Sequence, residues 1–211
     1  MRAVFMGTPD FAVGALDSLV AAGHEVALVI TQPDKPKGRK KTPTPPPVKA
    51  RALEHGLSVY QPARVRGAEC IEKLKEIAPD VIVVAAFGQI IPKEILELPR
   101  YGCINIHASL LPKYRGAAPI QWAVIDGEKE SGVTLMRMDE GLDTGDMIAR
   151  AVVSLAEDET GGSLFDRLSA AGARLLADTL PLLEQGTVSY ERQPAESPTP
   201  YARMMTKEMG R

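Results

Sequence analysis

Pro79-Asp-Val-Ile-Val-Val-Ala-Ala86 sets the architecture. Behind a Pro-Asp pair, six apolar residues run without alternation, the pattern of a central parallel strand that helices cover on both faces. Upstream, residues 2–6 read as a short apolar strand, followed by a Gly7-Thr-Pro-Asp10 turn. Residues 11–22 read as a helix, with Asp10 placed to cap it and Gly23 to stop it. Further strands are expected at 25–31 and 57–60, with a helix at 48–55 between them. Residues 67–77 form an amphipathic helix with Ile71, Leu74 and Ile77 on one side. Downstream come a short helix at 92–98 and a strand at 103–107. This alternation, at βαβ spacing, predicts an α/β fold: a Rossmann-like open, mostly parallel sheet with helices on both faces.

The second half changes character. Residues 119–126 are helical in pattern, and 132–138 with 147–155 read as a strand pair, an antiparallel addition to the sheet. A long helix follows, with Ser163 and Asp166 as a capping pair and Leu164, Leu168, Ala171 and Leu175 along one stripe. Pro181 is expected to kink or end it. One domain over 1–192 and a proline-containing linker over 193–211 complete the expected organisation.

With 211 residues, a quarter charged and 45% hydrophobic, the chain can build one sizeable core. Its formal net charge of −2 implies by itself no polyanionic partner. Cys70 and Cys103 are the only cysteines; both fall in predicted core elements without paired spacing, so each reads as a buried thiol. No apolar run approaches the ~20 residues that span a bilayer, and no signal peptide is recognised. A cytoplasmic protein without a membrane partner is the expectation.

Polar chemistry gathers at Asn105-Ile-His-Ala-Ser-Leu-Leu-Pro-Lys-Tyr-Arg-Gly116. Successive strand side chains alternate, so Asn105 and His107 share one face while Ile104 and Ile106 take the other. The pair sits at the carboxyl end of a predicted central strand, where open α/β sheets form their ligand crevice. His24 follows the glycine that stops the first helix and His55 ends a polar helix; both read as exposed. A second loop, Gly141-Leu-Asp-Thr-Gly-Asp146, offers a carboxylate, Asp143, that can orient His107 if the loop folds over the strand end. A solvated acidic turn is the plainer reading of that loop, and it lacks the ligand order of an EF-hand. The first βα turn lacks the G-x-G-x-x-G spacing, since the next glycine is Gly14, so a nicotinamide cofactor is not expected. Acyl-group chemistry without a metal is the leading idea.

Residues 32–47 pack Lys35, Lys37, Arg39, Lys40 and Lys41 together with six prolines. Such a segment builds no core and is expected to project as an extended, mobile arm. Between 34 and 51 there are seven basic residues and one acidic, leaving −8 for the rest of the chain. A phosphate-backbone contact and a merely solvated loop both fit this concentration of cations.

Taken together, Met6-Gly-Thr-Pro-Asp-Phe-Ala12, Thr31-Gln-Pro-Asp-Lys-Pro-Lys-Gly-Arg39, the 105–120 segment and Gly141–Asp146 resemble the methionyl-tRNA formyltransferase family, in its N-terminal formyl-transfer domain. The Asn-x-His…Ser-Leu-Leu-Pro core resembles 10-formyltetrahydrofolate-using enzymes more widely. The resemblance implies that Asn105, His107 and Asp143 are catalytic. It implies that Phe87, Gly88, Gln89, Ile90 and Ile91, with Ser109, Leu110, Leu111 and Pro112, line the folate pocket, and that the loop from Asp139 to Asp143 closes over the pterin. Lys35, Lys37, Arg39, Lys40 and Lys41 would meet initiator methionyl-tRNA, with Arg39 entering the acceptor end. The implied co-substrate is 10-formyltetrahydrofolate, with no metal, acting in a monomer. The family also carries a C-terminal β-barrel domain that helps hold tRNA, towards which the 193–211 linker would lead. Two other readings stay open: a folate-dependent formyltransferase for a small amine such as a nucleotide sugar or glycinamide ribonucleotide, and a non-catalytic folate- or tRNA-binding module.

Overall fold

In the computed structural model, which describes residues 1–210, the apolar run beginning at Val81 lies in the middle of a seven-stranded sheet. In chain order the elements are β1 (Arg2–Gly7), α1 (Asp10–Ala21), β2 (Glu25–Ile30), β3 (Lys35–Lys37), β4 (Thr42–Thr44), α2 (Pro47–Glu54), β5 (Val59–Tyr60) and α3 (Ala68–Ile77). Then come β6 (Val81–Ala85), α4 (Lys93–Leu96), β7 (Cys103–His107), α5 (Pro119–Ile125), β8 (Glu130–Arg137), β9 (Met147–Ser154) and α6 (Gly161–Gln185). The strand order is β5-β2-β1-β6-β7-β8-β9. The first five strands of that order are parallel, and β8 and β9 add antiparallel, as the change of pattern in the second half predicts.

All five residues of β6 are buried, which is why its sequence shows no alternation. One face of the sheet (Phe5, Val83, Ile104, Ile106, Val133) packs under α1 and α6 through Leu16, Leu168, Leu176 and Leu180. The other face (Met6, Ile82, Val84, Cys103) packs under α3 and α4 through Cys70, Leu74 and Ile95. Both thiols are buried and free. The chain runs outward through β2 and β5, then returns across β1 to lay down β6. Reversal of strand order between β1 and β6 opens a crevice at their carboxyl ends. No helix among the described residues is long and apolar enough to cross a membrane.

Four local expectations are corrected. Asp10 does not cap α1; Pro9 occupies the cap position, no side chain bonds there, and Asp10 is the first helical residue. The cap of α6 is Thr160 with Ser163 in a reciprocal capping box, rather than Ser163 with Asp166. Pro181 does not end α6, one of the two outcomes expected there: it lies inside the helix, which continues to Gln185. The basic proline segment is not an extended arm: β3 and β4 pair antiparallel, Lys35 opposite Thr44 and Lys37 opposite Thr42.

Residues 193–206 have no regular secondary structure, as their composition implies, yet they lie fastened along the domain. Met147 and Glu191 exchange backbone hydrogen bonds of 2.8 Å, and Ala202 is buried with its N–H on the Arg115 carbonyl at 2.7 Å.

Candidate active site

Alternation along β7 decides what reaches the crevice. Ile104 and Ile106 enter the α1/α6 core. Cys103 lies under α4, its thiol 3.7 Å from the Ile95 carbonyl, and Asn105 and His107 follow on that same face towards the carboxyl edge. Pairing with Val84 on one side, and with Met136 and Thr134 on the other, fixes both residues in register.

Only 6% of His107 is exposed. Its Nε2 lies 2.9 Å from the Tyr114 carbonyl oxygen. A carbonyl only accepts, so Nε2 carries a proton and the ring's chemistry is left to Nδ1. The Asp143 carboxylate stands opposite, Oδ2 to Nδ1 at 3.7 Å. The same oxygen accepts the Gly116 N–H at 2.8 Å. Tyr114 and Asp143, which set acceptors on either side of the imidazole, both hold left-handed backbones, φ 54° and 56°. Such conformations cost ~1–3 kcal/mol each and persist where surroundings over-determine them. The surroundings here are specific. The buried Tyr114 hydroxyl sits 2.8 Å from both the Asp126 and the Glu128 carboxylates, and burial, reinforced by those two acceptors, pushes the phenol's pKa well up. Gly116, at φ 117°, runs so close to Ala202 that a β-carbon would stand 3.0 Å from its carbonyl oxygen.

Asn105 is 9% exposed, and its carboxamide, which makes no hydrogen bond to the protein among the described residues, keeps its polar atoms accessible to solvent. A carboxamide free at the strand end beside an oriented imidazole is a donor without an internal partner. The structure thus brings Asn105, His107 and Asp143 to one place.

Asp143 is carried by the turn between β8 and β9. Asp139 Oδ1 closes that turn, accepting the Gly141 N–H at 3.0 Å and the Thr144 hydroxyl at 2.7 Å. Gly145 lies so tightly on the Arg137 carbonyl that any β-carbon would overlap it. Two buried residues to which the sequence reading gave no role hold the turn from behind: Gln193 and Arg115. A glutamine in a polar, proline-rich stretch carries no pattern. The burial of Arg115 had no sequence signal beyond the glycine that follows it.

The segments expected to line a folate pocket follow adjacent strands, β6 and β7. Phe87 and Ile91 are buried, Gly88 takes φ 85°, and Ile90 is 88% exposed. The Phe87 carbonyl accepts from Thr8 Oγ1 and Gln32 Nε2, while the Gln89 carboxamide accepts the Val65 N–H at 2.7 Å. Ser109 donates to the Lys113 carbonyl at 2.6 Å, and Leu111 is buried. Leu110 and Pro112 border a cavity of about 310 Å³ with Tyr114, Glu130 and Arg150. A cavity of about 450 Å³ lies between Asp139, Thr144, Asp146 and the 192–195 segment.

The basic side chains stand apart from this centre. Lys35, Lys37, Arg39, Lys40 and Lys41 are all exposed on the β3–β4 hairpin, and among the described residues none has a carboxylate within 4 Å. Asp34 anchors the hairpin's base, accepting from Gln61 at 2.7 Å and from Lys49 at 3.0 Å; these bonds hold its carboxyl below the ordinary value. Of the other histidines, His55 is exposed beside Asp17 as expected, whereas His24 is not: it is half-buried, its Nδ1 against the N-terminal amine.

The profile of the formyl transferase family matches residues 1–180. A methionyl-tRNA formyltransferase from Agathobacter rectalis is 61% identical over 210 residues, covering all of this chain and 67% of that protein. Among solved structures, a phosphoribosylglycinamide formyltransferase from Bacillus halodurans superposes with a TM-score of 0.72 at 29% identity, over 88% of this chain and 97% of that one. A formyltransferase from Anoxybacillus kamchatkensis, solved with a formamido sugar nucleotide and tetrahydrofolate, superposes with a TM-score of 0.68 at 22% identity, over 99% of this chain and 89% of that one, and shares the fold. The chain thus spans about two thirds of the length of its curated relative. An Asn-x-His pair at a strand end, a carboxylate turned onto the imidazole, and a family match running through both place this chain in the formyl transferase family, in its methionyl-tRNA formyltransferase branch.

Proposed function

We propose that the chain transfers the formyl group of 10-formyltetrahydrofolate to the free amino group of initiator methionyl-tRNA, giving formylmethionyl-tRNA for translation initiation. One observation carries the chemistry: a carboxamide without a partner among the described residues, beside an imidazole whose Nε2 is committed and whose Nδ1 faces a carboxylate.

As the amine nitrogen bonds to the formyl carbon, the bond from that carbon to N10 breaks, and tetrahydrofolate leaves with N10 taking up the proton that the amine sheds. Ile90, 88% exposed, and Leu142, 59% exposed, are apolar surface without protein cover, the kind that a flat heterocycle would bury. Asn105 donates to the formyl oxygen as it gains negative charge, a contribution of ~3 kcal/mol for one positioned donor. The Nδ1–Oδ2 separation of 3.7 Å is an ion-pair distance rather than a hydrogen bond. Nδ1, when protonated, can therefore donate to the same oxygen while Asp143 balances the imidazolium charge. Asp143 is also the base nearest to hand for the proton that the amine sheds, directly or through one water, a contribution of ~10²–10⁴ in rate. The exposed cations of the β3–β4 hairpin meet the tRNA phosphates and draw the acceptor end to the site.

The test mixes the purified chain with 10-formyltetrahydrofolate and either charged initiator methionyl-tRNA or a small amine. Formylated methionyl-tRNA is the expected product. A higher kcat/KM on glycinamide ribonucleotide or an amino-sugar nucleotide, or folate binding without turnover of any amine, overturns the reading.

A further inference from the structure

Arg115 is the largest fully buried side chain of the domain, 2% exposed, and among the described residues no carboxylate lies within 4 Å of it. A guanidinium so placed needs neutral acceptors, and all of them come from one short stretch. Nε and Nη2 donate to Gln193 Oε1 at 3.1 and 3.0 Å. Nη2 also donates to the Pro194 carbonyl at 2.8 Å, and Nη1 to the Ala195 carbonyl at 3.3 Å. With its oxygen committed to a group that can only donate, the Gln193 carboxamide has one possible orientation. Its nitrogen then faces two carbonyls that can only accept: Asp143 O at 2.9 Å and Gly145 O at 2.7 Å. One side chain therefore ties the buried cation to the backbone of the residue that turns its carboxylate onto His107.

The chemistry of the tie matters as much as its position. A strap whose only task was to cover the domain would be served by apolar side chains, since a buried ion is weak support for stability. Here the charge polarises the carboxamide, whose N–H bonds grip the carbonyl of a left-handed residue. The neighbours of Arg115 on either side hold the other parts of the centre: Tyr114 through its carbonyl on His107, and Gly116 through its N–H on Asp143. Residues 114–116 and 143–145 are thus clamped across Gln193 as one unit.

We propose that Gln193, held by Arg115, is a positioning residue for catalysis: it fixes the backbone of Asp143 so that the carboxylate stays on His107. The proposal rests on the catalytic reading of Asp143 given above. Two variants separate the ends of the amide. Gln193→Met keeps the length and loses every hydrogen bond. Gln193→Glu keeps an acceptor for Arg115, and an ion pair with it to keep the protein folded, but cannot donate to the two carbonyls. Each is made in the parent and in an Asp143→Ala background, and kcat, donor KM and melting temperature are measured. The expected result is a fall in kcat of about 10–100-fold for both variants in the parent, the range for groups supporting a functional residue. Donor KM should stay within about threefold, and the loss should shrink to under about threefold once Asp143 is absent, because coupled residues do not add. Parent-level kcat in Gln193→Glu, or equal losses in both backgrounds, overturns the positioning role while leaving Asp143 catalytic. Parent-level kcat in Asp143→Ala alone instead overturns the catalytic reading, and this proposal with it.

Discussion

Replacing Asp143 by Asn removes one charge, and with it the proton acceptor, but keeps the shape of the side chain. The amide oxygen can still accept the Gly116 N–H that now bonds Oδ2 at 2.8 Å, and the Gln193 bonds to the Asp143 and Gly145 carbonyls involve no side-chain atom of Asp143. Besides that proton acceptor, Nδ1 once protonated loses its electrostatic partner at 3.7 Å. Coulomb's law at that distance gives ~4 kcal/mol at an effective dielectric of about 20, and ~1 kcal/mol in bulk water. The two side chains are only 7% and 14% exposed, which places the pair nearer the first figure. With ~1.4 kcal/mol per decade, the expected loss is about 10²–10³ in the chemical step. Single-turnover formylation of charged tRNA at saturating donor isolates that step, and thermal melting verifies that the fold is intact. An Asp143→Asn variant that melts like the parent and turns over within about threefold of it would refute the electrostatic role of this carboxylate.

Four further perturbations follow from the same geometry. Asn105→Ala should lower kcat by about 10²–10³ with little change in donor KM, since among the described residues the carboxamide has no partner to lose; steady-state kinetics decide. Changing Lys35, Lys37, Arg39, Lys40 and Lys41 to Gln should flatten the log–log salt dependence of tRNA use by up to ~4 while sparing donor binding, at ~0.7–0.9 per phosphate contact; an unchanged slope removes the hairpin from the tRNA interface. Burial raises Cys70 to about 11 and Cys103 to about 12, so both thiols stay protonated at pH 8. Iodoacetamide should therefore label them about 10²-fold or more slower in the native protein than in denaturant, as followed by mass spectrometry. Gly145→Ala drives a methyl group into the Arg137 carbonyl and must displace the turn, which should cost ~2 kcal/mol or more. A fall of several degrees in melting temperature, together with a loss of turnover, would be the signature.

The sheet was legible because its signals are dense and redundant. β6 is apolar at every position because both its faces are covered, and β7 alternates at its end because one face runs out from under a helix. Proline was over-read twice, as a possible helix end at Pro181 and as a sign of an extended arm in the basic segment, for different reasons. At Pro181 the helix gives up one backbone bond at a cost of ~3 kcal/mol. Beyond it, Leu183 is 2% exposed, and with Leu180 it holds the last turns of α6 against the core, so packing outweighs the break. In the basic segment, Pro36 stands directly opposite Pro43. Two residues without N–H groups sit across from each other where the ladder asks for no donor, and a stretch that composition marks as unstructured closes into a hairpin.

The centre was legible to the extent that its parts are side chains on a periodic scaffold. Asn105 and His107 announce themselves through a two-residue period, and Asp143 through a loop rich in turn formers. What makes them a site is largely backbone: the Tyr114 carbonyl that commits Nε2, the Gly116 N–H that turns the carboxylate, and the Asp143 carbonyl that Gln193 holds. Main-chain atoms are the same at every position and leave no mark on a sequence. The 193–202 stretch shows the consequence. Its composition speaks to whether it can build a core, which it cannot, and is silent on whether it can be docked. A few contacts suffice for docking: Gln193 on Arg115, Ser197 on the Pro112 carbonyl at 2.8 Å, Thr199 accepting the Tyr114 N–H at 2.8 Å, and Ala202 paired with Arg115 and Ala118. Three of these four anchors engage residues 114–118, between the imidazole and the helix that follows it. A segment without secondary structure of its own therefore shares in fixing the geometry on which catalysis depends, and cutting it away at 193 should disturb the site before it disturbs the sheet.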